Sequence, residues 1–522
     1  MATIYDAFET RYKLDYLGLP VHNEWKNNIK RWTYYSDSFN GGNDYRSGQY
    51  LTRYVLESGD EYDNRIKNTP LDNHCKSVIE TYNSFLFRKP PIRDYGTNVG
   101  NDPALDLFLA DCDLEGRSYN AFMRDVSTYA SVYGVVYCLI DKPSTTVSTR
   151  AEELDQKIRP YVSIITPENV IDWRYARKPN GVYAMEEITL LDGIDDKAVY
   201  YRTITATETT VYKRMAGSNA SKAMEVIPNP IGVVPVVPIY SGRAIERGIG
   251  VSDIADIADV QRAIYNELSE VDQLIRISNH PSLVKSSGTQ AAAGAGAIID
   301  IPDDLDPNLK PYLIEPSGAG ITHILDSIKS KVDSINRMAN MGGVRNTMTT
   351  ALSGVALNTE FQLLNARLAQ KADNLELAEE QIWRMWALWQ NTVWDGVIDY
   401  PDGFNIHDKE NQIALIKAAK DTKPENTELL KELDIMLAKA LITDEDCLER
   451  VIEAQQEVGA VQPMEQGEVD TAMTHAPMTN PSDMIAHMRE MVQQGLTNEQ
   501  IMELHPEIKD FFNGEETDNG EA

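Results

Sequence analysis

Asp304, Asp306, Asn308 and Glu315 fall at the first, third, fifth and twelfth positions of a calcium-binding loop, a spacing that would gather oxygen ligands around one hard cation. The sixth position takes glycine for the sharp turn, but here it is Leu309, and Pro307 and Pro311 interrupt the run. No helical pattern precedes it, so the stretch reads as an acidic exposed turn. Pro316 to His323, PSGAGITH, places Gly318-Ala-Gly320 between a strand pattern and a helix pattern, as a dinucleotide fingerprint would. Its third glycine position is His323 and no parallel βαβ pattern surrounds it, which leaves a tight turn into a helix. The eight histidines are scattered without HxH or HExxH spacing. No GxSxG or GxxxxGK[ST] element supplies a nucleophile or a phosphate cradle. The sequence is therefore read as non-enzymatic, with no cofactor and no metal; a dispersed carboxylate pair would leave no such signature.

Composition narrows the remaining classes. A chain of 522 residues, 42% hydrophobic and 25% charged, has length for two to four domains. No apolar run reaches the roughly 18 residues of a membrane span, and MATIYDAFETRYKLDY lacks the apolar core of a signal peptide, so a cytosolic product is expected. Cys75, Cys112, Cys138 and Cys447 lie far apart without CxxC spacing and read as buried small hydrophobes. The net charge of −31 argues against a protein that grips nucleic acid through phosphate contacts. Residues 401–522 hold 27 acids against 9 Lys or Arg, so more than half of that excess belongs to a C-terminal region. It reads as a solubilising helical appendage or as a surface that repels a polyanion.

The elements that would position any site follow from periodicity. Residues 1–130 read as helical, with Ile79, Tyr82, Phe85 and Leu86 on one face of NTPLDNHCKSVIETYNSFLFRKPP and Pro90-Pro91 as its stop. From 131 to 240 the pattern alternates in VVYCLI, RPYVSIITP, NVIDWRY, MEEITLL, AVYYRTITA and TTVYKR, a small antiparallel domain with turns at PNG and LDG. NPIGVVPVVPIYSG, with its prolines, suits an edge or exit strand. A helix of about 27 residues is expected after an N-cap at Ser252, with Ile254, Ile257, Val260, Ile264, Leu268, Val271, Leu274 and Ile277 as its stripe. Short strands SLVKS, AIIDI and PYLIE follow within 282–320, then a second helix with Ile324, Ile328, Val332, Ile335 and Met338 aligned. Met341–Phe361, MGGVRNTMTTALSGVALNTEF, breaks the helical pattern. Gly342 and Gly343 are expected to end the preceding helix, and Thr359 with Gln362 to open the next through a capping box. That long helix carries Trp383, Trp386, Trp389 and Trp394. Acidic helical patterns follow, then a Met- and Pro-containing linker near 458–480 and a final helical pair.

This order of parts resembles the portal protein of tailed double-stranded DNA bacteriophages, the head-to-tail connector. The stretches that carry the resemblance are RIKNTPLDNHCKSVIETYNSFLFRKPP, NPIGVVPVVPIYSG followed by GVSDIADIADVQRAIYNELSEVDQ, and GGVRNTMTTALSGVALNTEFQLLNARLAQKADNLE. It implies an α+β, mainly helical portal fold that assembles as a ring. On that pattern 1–130 is a helical wing, 131–240 a β-rich wing domain, 241–281 a stem helix, 282–320 a clip, and 321–341 a second stem helix. Residues 342–358 match the tunnel loop, 359–410 a long spine helix with a wing strand, and 411–460 an acidic helical crown. Residues 461–522 form a linker and C-terminal extension outside the secure match.

The resemblance further implies a homo-oligomer, a dodecamer in that family, at one capsid vertex of a virion, assembled in the host cytoplasm. The partners it implies are the terminase large subunit, a tail adaptor, the major capsid and scaffolding proteins, and double-stranded DNA in transit, with no membrane. Gly342, Gly343, Arg345, Asn346, Thr347, Met348, Thr349 and Thr350 would then line the channel, with Arg345 as the sole cation. Asp300, Asp303, Asp304 and Asp306 would face the motor or adaptor from the clip, whose strands are expected to pair between neighbouring subunits. The competing reading is an acidic scaffolding or adaptor protein that assembles without conducting DNA.

Overall fold

The structure, a computed structural model, describes residues 19, 21–143, 147, 149–195, 198–215, 218, 220–279, 282–284, 312–314, 319–342, 354–401, 403–404, 416–420, 427–441 and 450–452. The chain divides into two units, Met1–Ile406 and His407–Ala522.

The first unit opens with helices α1 (Asn23–Asn40), α2 (Gly42–Ser47), α3 (Gly59–Asn68) and α4 (His74–Leu86). In α1, Trp25, Ile29 and Trp32 recur at helical spacing and are buried, so that face enters the core. Asn73 caps α4 by accepting the Lys76 N–H, and the helix ends at Leu86, before the prolines expected to stop it. Val78, Ile79, Tyr82 and Leu86 are buried, while Phe85 lies half-buried at the margin. After strand β1 (Ile92–Asp94) come short helices α5 (Gly96–Gly100) and α6 (Leu105–Ala110), then α7 (Tyr119–Tyr133). Gly134 ends α7 at φ 86°, and a Cβ there would stand 2.5 Å from the Gly250 backbone. Only glycine satisfies both the left-handed turn and that approach.

Strand β2 (Val135–Asp141) is buried at every residue but the last, which is why VVYCLI is a continuous apolar run rather than an alternating one. It is the centre of a three-stranded sheet, between β3 (Tyr161–Ile165), reached through helix α8 (Arg150–Asp155), and a later edge strand. Strands β4 (Val170–Arg177), β5 (Tyr183–Ile194), β6 (Ala198–Thr205), β7 (Glu208–Met215) and β8 (Lys222–Pro228) form a separate antiparallel meander in chain order. The expected turn at LDG is a correction: Gly193 pairs with Tyr200 inside β5, and the register shifts between Leu191 and Gly193, so Asp192 is a bulge residue. Strand β8 was not legible because nearly all its residues are exposed and it has no apolar face to alternate with. The later edge strand is β9 (Val236–Tyr240), with Pro238 opposite Tyr137. The edge position tolerates the missing N–H, as its sequence required.

Helix α9 (Ile257–Asn279) and helix α10 (Ala319–Met338) then run as an antiparallel pair. Glu267 accepts from Ser327 at 2.9 Å and Lys331 at 2.6 Å, and beyond the helix ends β10 (Ser282–Val284) pairs antiparallel with β11 (Tyr312–Ile314). At 1.5 Å per residue α9 is about 35 Å long. Its start is a second correction. Ser252 lies five residues before its first helical residue: its hydroxyl accepts the Ile254 N–H at 3.2 Å and donates to the Val132 carbonyl at 2.6 Å, and residues 253–256 form the turns that lead into the helix. SLV and YLI pair with each other in the same chain, and AIIDI lies outside the described residues. Helix α11 (Gly354–Trp389) has 36 residues, about 54 Å. Strand β12 (Val397–Asp399) returns to pair with β1, joining positions some 300 residues apart in sequence.

Trp383 and Trp386 are fully buried, and Trp394, past the end of α11, stacks on Trp383 at 5.8 Å. Among the described residues, no helix is long and apolar enough to cross a membrane, and no group of acids, histidines and cysteines is spaced to hold a metal ion. Cys75, Cys112 and Cys138 are buried and free, each thiol pushed up by burial; Cys447 lies outside the described residues. In the second unit, 416–420 is helical and helix α12 (Thr427–Leu441) follows, with Lys420 paired to Asp434.

Candidate functional site

Of the expected channel residues only Gly342 is among those described; Gly343, Arg345, Asn346, Thr347, Met348, Thr349 and Thr350 lie outside them, as do the clip residues Asp300, Asp303, Asp304 and Asp306. The calcium-loop positions 304, 306, 308 and 315 do too. What the structure gives is the two ends from which the channel segment departs, and what holds them.

The exit from α10 differs from the expectation, and the residue responsible is Asn340. It adopts φ 54°, the Asn340 N–H donates to the Arg337 carbonyl at 3.1 Å, and the Met341 N–H reaches back to the Asn336 carbonyl at 2.8 Å. That pair of bonds is a Schellman stop, with asparagine in the left-handed position; Met341 beyond it and Ile335 before it are both fully buried in the core. Gly342 therefore does not end the helix. A Cβ on it would meet the Glu360 carboxylate at 3.1 Å, the mobile end of a flexible side chain. Likewise α11 begins at Gly354, and Thr359 lies in its second turn instead of capping it.

We expect Asn340→Ala to cost about 1 kcal/mol of stability, because alanine pays for the left-handed backbone that asparagine tolerates. Asn340→Gly should cost nothing, and Gly342→Ala almost nothing. Urea unfolding midpoints of the three variants check this; equal losses for Asn340→Ala and Asn340→Gly would show that the side chain, not the backbone, matters.

Beneath these ends sits a buried charge network that no motif announced. The Lys371 ammonium, on α11, donates to the Ser131 hydroxyl at 2.8 Å, the Ser241 hydroxyl at 2.7 Å and Asp253 Oδ2 at 2.5 Å. The Ser131 hydroxyl donates onward to the Ser127 carbonyl, and Ser241 to Asp253. Arg367, one turn earlier on α11, reaches Asp253 Oδ1 at 3.2 Å, and both cations lie near the Tyr82 ring. The Tyr82 hydroxyl donates to the Ala339 carbonyl at 2.7 Å, tying α4 to the end of α10. An open cavity of about 440 Å³ borders the network, with Asn340, Arg367, Gln370 and Lys371 in its wall.

A lysine beside two serines resembles a nucleophile and its base, yet the geometry here opposes that use. All three ammonium protons are donated and no lone pair faces either hydroxyl. Burial pushes the Asp253 carboxyl up, but Lys371 and Arg367, with the hydrogen bonds from Lys371 and Ser241, outweigh it and hold the carboxyl below its ordinary range. The group is a charged clamp between α11, α7 and the segment after β9.

A second clamp lies two turns further along α11. Glu379, fully buried, accepts from Arg93 Nε at 2.5 Å and from the Tyr400 hydroxyl at 2.6 Å. Arg93 belongs to β1 and Tyr400 follows β12, so the pair fastens that small sheet to the tryptophan cluster. Both clamps left one signal in the sequence. Lys371 and Glu379 stand within the apolar stripe Leu364, Leu368, Ala372, Leu375, Ile382 and Trp386, where a charge needs a partner.

No protein-family model matches the chain, and no curated protein matches it in sequence. Among solved structures, a chain of the virion of a native gene transfer agent particle aligns at 11% identity and TM-score 0.37, covering 81% of this chain and 98% of that one. A chain from the neck of the empty particle, computed with C6 symmetry, aligns at 12% identity and TM-score 0.40, covering 74% of this chain and 96% of that one. One from the neck of the native particle, computed with C12 symmetry, gives 12% and 0.40, with 73% and 95% covered.

Proposed function

We propose that this chain is a portal-type subunit: a non-enzymatic ring component at one vertex of a virion, through which a separate motor packages double-stranded DNA and through which the DNA later leaves. The observation that carries the reading is the stalk formed by α9 and α10. Its base is packed, with Ile264, Val271 and Ile335 buried, but toward its outer end Ile275 and Leu325 are exposed and Ile321, Ile324 and Ile328 only half-covered. A hairpin of helices that leaves one chain with its apolar stripe part-open is what side-by-side copies around an axis would cover. The antiparallel β10–β11 ladder caps the stalk, and 343–353 connects its inner end to α11. Strong net acidity suits a conduit that DNA passes without adhering.

In this proposal the ring is a dodecamer, the clip with Asp300, Asp303, Asp304 and Asp306 docks the terminase large subunit and then a tail adaptor, and the wing contacts capsid and scaffolding proteins. Negative-stain images of the purified full chain test it. Rings with a central hole are expected; compact monomers at every concentration would exclude a portal, and closed assemblies without a hole would favour a scaffolding or adaptor role.

A further inference from the structure

Tyr54 to Glu57 forms a tight turn, the Glu57 N–H bonding to the Tyr54 carbonyl at 3.2 Å. Its two central positions, where turns ordinarily place Asn, Asp, Gly or Pro, hold Val55 and Leu56, 99% and 98% exposed. The turn is nevertheless firmly held. Arg65, buried on α3, grips Glu57 through two bonds of 2.6 and 2.9 Å, donates to the Thr52 carbonyl at 2.7 Å and to Ser269 of α9 at 3.0 Å, and lies 3.9 Å over the Tyr54 ring. A floppy loop would hide such side chains or let them move; this one presents them. Exposed Asp60, Glu61 and Asp63 follow it on α3, and exposed Glu270 adjoins the Ser269 that Arg65 reaches on α9; these four acids outnumber exposed Arg53, which donates to the Glu57 carbonyl at 2.9 Å.

A second surface of the same unit has the opposite character. A cleft of about 890 Å³ between β4, β5 and the strand and turn at β9 is lined by Arg174, Lys178, Tyr183, Arg243 and Arg247. Arg174 is paired with Glu186 and Glu187, but among the described residues Lys178, Arg243 and Arg247 have no carboxylate in ion-pair range. Val182, Tyr183 and fully exposed Ile245 add apolar area beside the cations. In a chain of net charge −31 this local excess of positive charge calls for an acidic occupant.

We infer that the Val55-Leu56 tip of one copy seats in the Arg243–Lys178 cleft of the next. The tip is apolar with an acidic border and the cleft apolar with a basic one, and the near-complete exposure of Val55 and Leu56 shows that the tip does not occupy its own chain's cleft. Two different surfaces meeting head to tail make a heterologous contact, which closes into a ring if the rotation allows. The inference rests on the ring reading above and names the contact that would build it.

The test uses full-length chain in sedimentation velocity. Val55→Asn with Leu56→Gly removes the apolar knob without adding charge, at turn positions that accept both residues, so thermal melting of the monomer should not change. Lys178→Glu with Arg243→Glu reverses the cleft. Each double variant should raise the concentration needed for assembly about tenfold or more. Mixed together, the two should form one-to-one dimers and no ring, because one intact knob and one intact cleft remain. Wild-type rings with unaffected variants would overturn the inference and leave the ring reading standing, whereas wild-type monomers would remove the ring reading itself. If the cleft variant instead loses binding to a DNA duplex at low salt while assembly is unchanged, the cleft serves nucleic acid and the inference is likewise overturned.

Discussion

Replacing Lys371 with methionine is expected to destabilise the first unit by about 3–5 kcal/mol, since it leaves the Asp253 carboxylate buried without its principal partner. For a unit of this size that corresponds to a fall in melting temperature of about 5 °C. Arginine should not restore stability, because Ser131, Ser241 and Asp253 converge on one nitrogen and a planar guanidinium cannot occupy that point.

The pH dependence gives the clamp a signature of its own. Asp253 has its carboxyl held below the usual 3.8, so its contribution is present above that value and is lost as pH falls further, through the folded-state pKa. Asp37 works in the other direction: burial pushes its carboxyl up to about 6, and its contribution is greatest below 3.8 and lost as pH rises toward 6. A single stability curve mixes the two. The difference between wild type and Lys371→Met cancels Asp37 and isolates Asp253. Without the lysine, burial should raise the Asp253 carboxyl, so the deficit should be largest near neutrality and shrink on acidification toward pH 4. A deficit that stays constant from pH 7 to 4 would show that the loss is one of packing volume and not of charge.

The clamp also marks the limit of what the sequence made legible. Strands β2 and β4 to β7 could be read because burial on one or both faces imposes a pattern on neighbouring residues. Strand β8 has no buried face and left none. Asp192-Gly193 looked like a turn because bulges and turns both ask for residues that tolerate unusual backbone; only the pairing of Gly193 with Tyr200 distinguishes them. Gly342 and Gly343 draw the expectation of a helix stop because glycine is the commoner one, but asparagine reaches the left-handed region too, and Asn340 does so here. Helix α11 starts before the expected Thr359 because Thr359 and Gln362 only mimic a capping box, while Ala356 and Leu357 before them already favour helix. Lys371 and Glu379 were visible as charges in an apolar stripe, but their partners Asp253 and Arg93 are 118 and 286 residues away, and no local pattern encodes such distances.

On the portal reading proposed above, exchanging Thr349 and Thr350 for tryptophan is expected to leave rings and subunit stability unchanged while reducing DNA uptake by assembled proheads to background. The reason is where the described structure is fixed and how far the intervening chain can reach. One end is stopped at Asn340 and pinned through Ala339 to Tyr82; the other begins at Gly354 on the helix that carries both clamps. The stretch 343–353 has a contour of about 35–40 Å, so its middle can extend about 18 Å from its ends without disturbing them. In a ring, one such segment per subunit would narrow the axis, and threonine offers small polar contacts that exchange readily with water. Tryptophan repeated in every subunit would obstruct the passage of a duplex. Because α10 is stopped by Asn340, Gly342→Ala should not lengthen it. Full uptake by the tryptophan variant would show that 343–353 merely connects two helices and that the DNA path, if there is one, lies elsewhere.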